Sequence, residues 1–171
     1  IIMTHEILLA GFGGQGILFS GKFLAYDGLL ENREVSWLPS YGPEMRGGTC
    51  NCSVILSDTK IGSPIVSNPN VLVAMNLPSL DKFENSAVPG AKIFVDSSLI
   101  DRKVERNDVE VYYVPATKLA SEENLPGLAN MIMIGHMIKH AGVMPYENVE
   151  KTMAKLVPAK KQNLIELNIK A

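Results

Sequence analysis

Apolar residues follow two rhythms along the chain, one of strand length and one of helical period. Short apolar runs predict strands at residues 7–10, 35–38, 71–75, 91–96 and 109–114, and residues 49–56 alternate cleanly between apolar and polar. Between them, Ile17, Leu18, Leu24, Ala25 and Leu29 recur at helical spacing, widened by Phe19 and Phe23, which predicts a helix over residues 14–30. Asn76, followed by Pro78, Leu80 and Phe83, reads as a capped helix start. Residues 128–141 predict a helix whose Met131, Ile132, Met133, Ile134, Met137 and Ile138 cover most of its circumference. It is closed by Gly142 and followed by a helix from Pro145 to about Leu156. Residues 158–171 read as a polar tail with helical leanings. Ser57-Asp58-Thr59-Lys60 reads as a tight turn into a return strand over residues 61–66, so one antiparallel hairpin is expected in an otherwise parallel sheet. The fold class expected is α/β: a three-layer α/β/α, Rossmann-like domain with a mostly parallel, mixed sheet, occupying residues 1–171 as one unit.

The first apolar run feeds directly into Gly11-Phe12-Gly13-Gly14-Gln15-Gly16. Glycines at this spacing permit the positive φ of a tight turn and let backbone amides approach an anion, and the helix that follows adds free N–H groups and its positive dipole end. The same glycines would also serve to turn the chain and bring helix and sheet close together. A dinucleotide site would want an acidic side chain at the end of the second strand to take the ribose hydroxyls. Here that strand runs into Pro39-Ser40, and the nearby Glu31 and Glu34 precede it, which weakens a free-standing NAD- or FAD-binding module as the alternative reading. A second glycine-rich stretch follows, Tyr41-Gly42-Pro43-Glu44-Met45-Arg46-Gly47-Gly48. If the first two strands run parallel, both loops leave the same carboxyl edge of the sheet and share one crevice, with Arg46 able to bind a carboxylate or phosphate in bidentate fashion.

Composition narrows the classes. With 16 Lys+Arg against 18 Asp+Glu and a pI near 5.9, the chain lacks the basic field that nucleic acid or an anionic membrane selects. No apolar run approaches the roughly 20 residues that span a bilayer, and no signal peptide precedes Ile7, so a cytoplasmic protein is expected, with Met3 as its natural start. Cys50 and Cys52 alternate in phase with Val54 and Leu56 and read as core residues. A Cys-x-Cys pair cannot complete an iron–sulfur or zinc site by itself. His136 and His140 share a helix face at metal-ligand spacing without a third ligand, and read as ordinary polar-face histidines. Asp96-Ser97-Ser98 ends its strand as a turn or helix cap.

Gly11-Phe-Gly-Gly-Gln-Gly16, then Tyr41-Gly-Pro-Glu-Met-Arg-Gly-Gly48, then a hairpin ending in Ile61-Gly-Ser-Pro64 resemble, in that order, the gamma subunit of 2-oxoacid:ferredoxin oxidoreductases. The likeness is strongest to members acting on 2-oxoglutarate or branched-chain 2-oxo acids, with pyruvate enzymes close behind. It implies a subunit of a complex that oxidatively decarboxylates a 2-oxo acid to an acyl-CoA and reduces ferredoxin. It also implies thiamine diphosphate, Mg²⁺, iron–sulfur clusters and coenzyme A in that complex, and alpha, beta and possibly delta subunits as partners. No Cys cluster and no Gly-Asp-Gly stretch for a thiamine diphosphate metal stands in this chain, so the partners are expected to supply both. On this reading Gly11, Gly13, Gly14, Gln15 and Gly16, together with Arg46, Gly47 and Gly48, face the cofactor or coenzyme A pocket. The chain then contributes no general base and no nucleophile, and binds neither nucleic acid nor membrane. The methionine-rich helix is either an inter-subunit face or core.

Overall fold

The computed structural model describes residues 3–41 and 49–171. Its framework is a six-stranded sheet built from β1 (Thr4–Phe12), β2 (Glu34–Tyr41), β3 (Thr49–Ser57), β4 (Val71–Ala74), β5 (Lys92–Asp96) and β6 (Glu110–Val114). The spatial order is β2-β3-β1-β4-β5-β6. β1, β4, β5 and β6 pair in parallel, while β3 runs antiparallel to both β1 and β2, so β3 alone opposes the common direction. The mixed, mostly parallel sheet expected from the sequence is therefore present.

The hairpin sits elsewhere than the alternation suggested. β3 pairs with β2 on one side, Trp37 opposite Val54, and with β1 on the other, Ile7 opposite Val54. Both edges of β3 are thus filled, and no return strand forms over residues 61–66. Pro64 could not have donated to such a ladder in any case. That segment instead crosses a sheet face, where Val66 is buried and its N–H donates to Ser53 Oγ at 3.2 Å.

Helices cover both faces. On one lie α1 (Ile17–Leu30), α4 (Ala129–Ala141), α5 (Val149–Leu156) and α6 (Gln162–Lys170), and on the other α2 (Leu77–Phe83). α3 (Ala116–Glu122) follows β6, an element the sequence pattern did not predict. The first core gathers Phe23 and Leu24 of α1, Cys52, Val54 and Leu56 of β3, and Met131, Met133, Ile134 and Met137 of α4. The second gathers Leu8, Leu72, Ile93 and Leu80. Burying each of the larger side chains contributes about 1.5–3 kcal/mol. α1 approaches the sheet closely because Gly21 faces Cys52 and Trp37, and Gly28 faces Val35 and Leu56, with no room for a Cβ at either position. The methionines of α4 are core residues, and Cys50 and Cys52 are buried free thiols.

Candidate functional site

β1 ends at Phe12 and α1 begins at Ile17, so Gly13 to Gly16 make the turn between them. Gly14 and Gly16 adopt φ of 93° and 75°, the left-handed region that glycine enters without a Cβ penalty. The two have different surroundings. Nothing lies near a Cβ placed on Gly14, whereas one on Gly16 would collide with the side-chain amide of Asn130. Gly11 is closed in by Gln15, Ile17 and Met75. Two of the motif's glycines therefore exist for packing, and one faces open space.

Gln15 braces the turn with both ends of its amide. Oε1 accepts from the N–H of Phe12 at 2.6 Å, and Nε2 donates to the carbonyl of Met75 at 3.0 Å. This ties the β1 turn to the end of β4. Asn130, buried on α4, donates through Nδ2 to the Gly16 carbonyl and to Ser20 Oγ, both at 3.1 Å, and its Oδ1 has no partner. Ser20 is the first residue of α1 whose N–H bonds back, to the Gly16 carbonyl at 3.0 Å. The amides of Ile17, Leu18 and Phe19 precede it, and at a helix start such groups look to an anion or to water.

β1 leads through α1 on one face of the sheet, and β4 through α2 on the other. The junction between β1 and β4 is thus the point where the chain direction switches, and open α/β sheets keep their ligand crevices there. A cleft of about 650 Å³ lies at this point, walled by Gly14 and Gln15, by Met75, and by Thr117, Ser121 and Asn124. Its size is that of a small-molecule or cofactor site. α3 is held in place by Asp96, whose buried carboxyl accepts from Thr117 Oγ1 at 2.6 Å and from the Ser98 N–H at 3.0 Å.

Of the sequence-predicted site residues, Gly11, Gly13, Gly14, Gln15 and Gly16 come together at this edge, while Arg46, Gly47 and Gly48 lie outside the described residues. The residue after that segment, Thr49, pairs with Phe12, and the strand before it, β2, runs parallel to β1. Glu31 and Glu34 stand at the opposite, amino-terminal edge, away from any ribose at the glycine turn. Sequence reasoning missed Thr117, Ser121 and Asn124 because it missed α3, although Ala116, Leu119 and Ala120 after Pro115 carry a helical spacing. It also passed over Asn130, a lone amide amid the apolar positions of α4.

The metal chemistry implied by the resemblance does not fit this chain's own side chains. Burial pushes the Cys52 thiol up to about 12 and the Cys50 thiol up as well, and this buried pair offers two ligands where a cluster needs four. Among the described residues no group of three or more His, Cys, Asp or Glu is placed to hold a metal ion. His136 and His140 pack with ring centroids 4.4 Å apart, and His140 lies 4.6 Å from Tyr112, in an aromatic stack that includes Phe94. Burial, with His140 alongside, lowers the His136 pKa. No helix of the described residues is long and apolar enough to cross a membrane.

Residues 6–171 match the pyruvate ferredoxin/flavodoxin oxidoreductase family. The chain is 38% identical over 159 residues to the 2-oxoglutarate synthase subunit KorC of Methanocaldococcus jannaschii, covering 91% of this chain and 85% of that one. It is also 38% identical over 165 residues to the ketoisovalerate oxidoreductase subunit VorA of Methanothermobacter thermautotrophicus, covering 96% of this chain but only 34% of that relative's length. Among solved structures, the keto/oxoacid ferredoxin oxidoreductase gamma subunit of Geobacter sulfurreducens superposes with a TM-score of 0.82 at 28% identity, over 97% of this chain and 92% of the other. A match of this length, on a sheet whose glycine turn stands at its switch point, means that the chain belongs to the pyruvate ferredoxin/flavodoxin oxidoreductase family.

Proposed function

We propose that this chain is the gamma subunit of a multi-subunit 2-oxoacid:ferredoxin oxidoreductase, which converts a 2-oxo acid and coenzyme A to an acyl-CoA, releases CO₂ and passes the electrons to ferredoxin. The observation that carries the reading is the family match over residues 6–171, shared with relatives named for ketoisovalerate, 2-oxoglutarate and pyruvate. The substrate is accordingly 2-oxoglutarate, a branched-chain 2-oxo acid or pyruvate. Alpha and beta subunits, with a delta subunit in some assemblies, hold the thiamine diphosphate, Mg²⁺ and iron–sulfur clusters, consistent with the buried neutral thiols of Cys50 and Cys52. The chain works as one domain in the cytoplasm and is inactive alone.

Its own contribution is an anion-receptive rim. Gly13, Gly14 and Gly16 shape the turn, Gly11 and Gln15 fix it to β4, and the free amides of α1 point positive charge density outward. Arg46, Gly47 and Gly48 belong to the same rim on this reading, which the pairing of the next residue, Thr49, with Phe12 supports. A cofactor or coenzyme A phosphate is held there, and the residues of this chain bind and orient without moving a proton.

The test is reconstitution with the partner subunits. Arg46→Ala weakens coenzyme A use about tenfold to a hundredfold, the loss expected of a charged hydrogen bond of 1.5–3 kcal/mol. Unchanged turnover with unchanged coenzyme A dependence refutes the binding role. Oxidation of any 2-oxo acid by the isolated chain, or purification of the native chain without partners, refutes the subunit reading.

A further inference from the structure

The amino-terminal edge of the sheet holds a polar cluster that the glycine turn does not use. Asp27 stands in the last turns of α1 with its side chain completely buried, and its Oδ1 accepts from Asn148 Nδ2 at 2.9 Å. Asn148 is the residue from which α5 starts, so this bond joins two helices distant in sequence. Glu31 follows four residues later on the same helical face, close enough for the two carboxyl groups to hydrogen-bond each other. Asp27 Oδ2 and Glu31 Oε1 are both buried, and neither has any other partner.

Two buried acceptors facing one another without a donor would each bear the full cost of desolvation, and two negative charges there would repel as well. One proton placed between them turns the clash into a hydrogen bond. We propose that Asp27 and Glu31 form a buried carboxyl pair that shares one proton and that, through Asn148, makes the seating of α5 on α1 respond to pH.

The groups around the pair fit that role. Burial first, and Glu31 second, push the Asp27 carboxyl up to about 7, while Asn148 and the Arg33 guanidinium pull it down. Arg33 is committed elsewhere: it donates to the carbonyls of Leu56 and Val143 at 3.1 and 3.2 Å and lies 3.6 Å from Asp58 at the far end of β3. From β1 comes His5, whose pKa burial and Arg33 lower, so it stays neutral where Asp27 titrates. From the α5 side the group facing Asp27 is the uncharged Asn148. Among the described residues Arg33 is thus the full positive charge near Asp27, and with its bonds and ion pair directed elsewhere it offsets an ionised Asp27 only in part.

The direction follows from linkage. The folded value lies above that of an exposed aspartate, so the pair's stabilisation is complete at acid pH, below the unfolded value, and is lost as the pH rises through about 7. Val149 and Met153 of α5 remain in the core, so the response is a loosening of α5 and not global unfolding.

The experiment uses the full chain, with carboxyl ¹³C resonances titrated by NMR and amide exchange followed over α5. Asp27 titrates with a midpoint near neutrality, and protection of the α5 amides, corrected for intrinsic exchange, falls about tenfold from pH 6 to pH 8.5. Asp27→Asn mimics the protonated acid, donating to Glu31 and accepting from Asn148, and removes that fall; histidine contributions are common to both proteins and cancel. Glu31→Gln removes the like charge and moves the Asp27 midpoint to lower pH. An Asp27 midpoint in the ordinary aspartate range, an unmoved midpoint in Glu31→Gln, or the same pH dependence in Asp27→Asn overturns the proposal. The wild-type titration decides it even if a variant fails to fold.

Discussion

Two aspartates lie completely buried at opposite edges of one sheet, and their surroundings differ in kind. Asp96, at the carboxyl edge, meets donors only: the Ser98 N–H, the Thr117 N–H and the Thr117 hydroxyl. Asp27, toward the amino edge, meets one donor and another carboxyl group. The Asp96 carboxyl is thereby fully satisfied, and its bonds fix α3 as a wall of the cleft, although Asn130 Oδ1 at the glycine turn has no partner. The amino edge is left with unpartnered atoms, among them His5 Nε2, Arg33 Nε and Glu31 Oε1, and so is the part of the molecule that answers to protons. In α/β sheets ligands sit beyond the carboxyl ends of strands, and here that edge is also the better braced of the two.

Changing the two aspartates separately tests the contrast most severely. Asp96→Ala removes the acceptor for two N–H groups and a hydroxyl and frees α3 from β5, for a loss of about 3 kcal/mol in urea unfolding at any pH between 6 and 8.5. Asp27→Asn has the opposite sign at pH 8.5, where it stabilises. Equal and same-signed effects would erase the distinction between the edges.

A smaller effect separates the glycines of the turn. Gly16→Ala meets both a left-handed φ and the Asn130 amide, and is expected to lower stability by about 2 kcal/mol. Gly14→Ala has the same conformational penalty in open space and costs about 1 kcal/mol. In the reconstituted complex the order reverses for coenzyme A use if Gly14 faces the ligand, because a methyl group there stands where the anion approaches.

The sequence makes the strands and the glycine turn plain because both are written in local chemistry: apolar runs bounded by glycine, proline and asparagine, and a fixed Gly-x-Gly-x-x-Gly spacing. What it conceals depends on neighbours far along the chain. β3 looked like half of a hairpin with residues 61–66, since alternation shows that a strand has two faces but not which strands flank it. α3 has only Ala116, Leu119 and Ala120 to mark its inner side, too short a stripe to stand out, and it carries a wall of the cleft. Nothing in the sequence sets Asp27 apart, because only the fold places Asn148 against it.

The finest test of the braced edge is Asn76. It precedes α2, its backbone is extended at φ −156°, and its Oδ1 accepts from the Ser79 N–H at 2.9 Å. The residue before it, Met75, receives the Gln15 bond, so the cap and the turn's brace share one short stretch of chain. Asn76→Ala should cost about 1 kcal/mol, the usual loss of a helix cap, and Asn76→Ser should recover most of it. Because the cap titrates in neither form, the loss should be the same at pH 6 and pH 8.5. A loss that grew with pH would mean that the proton-sensitive behaviour of the amino edge reaches across the sheet to the cleft, and the two edges would then have to be treated as one coupled unit.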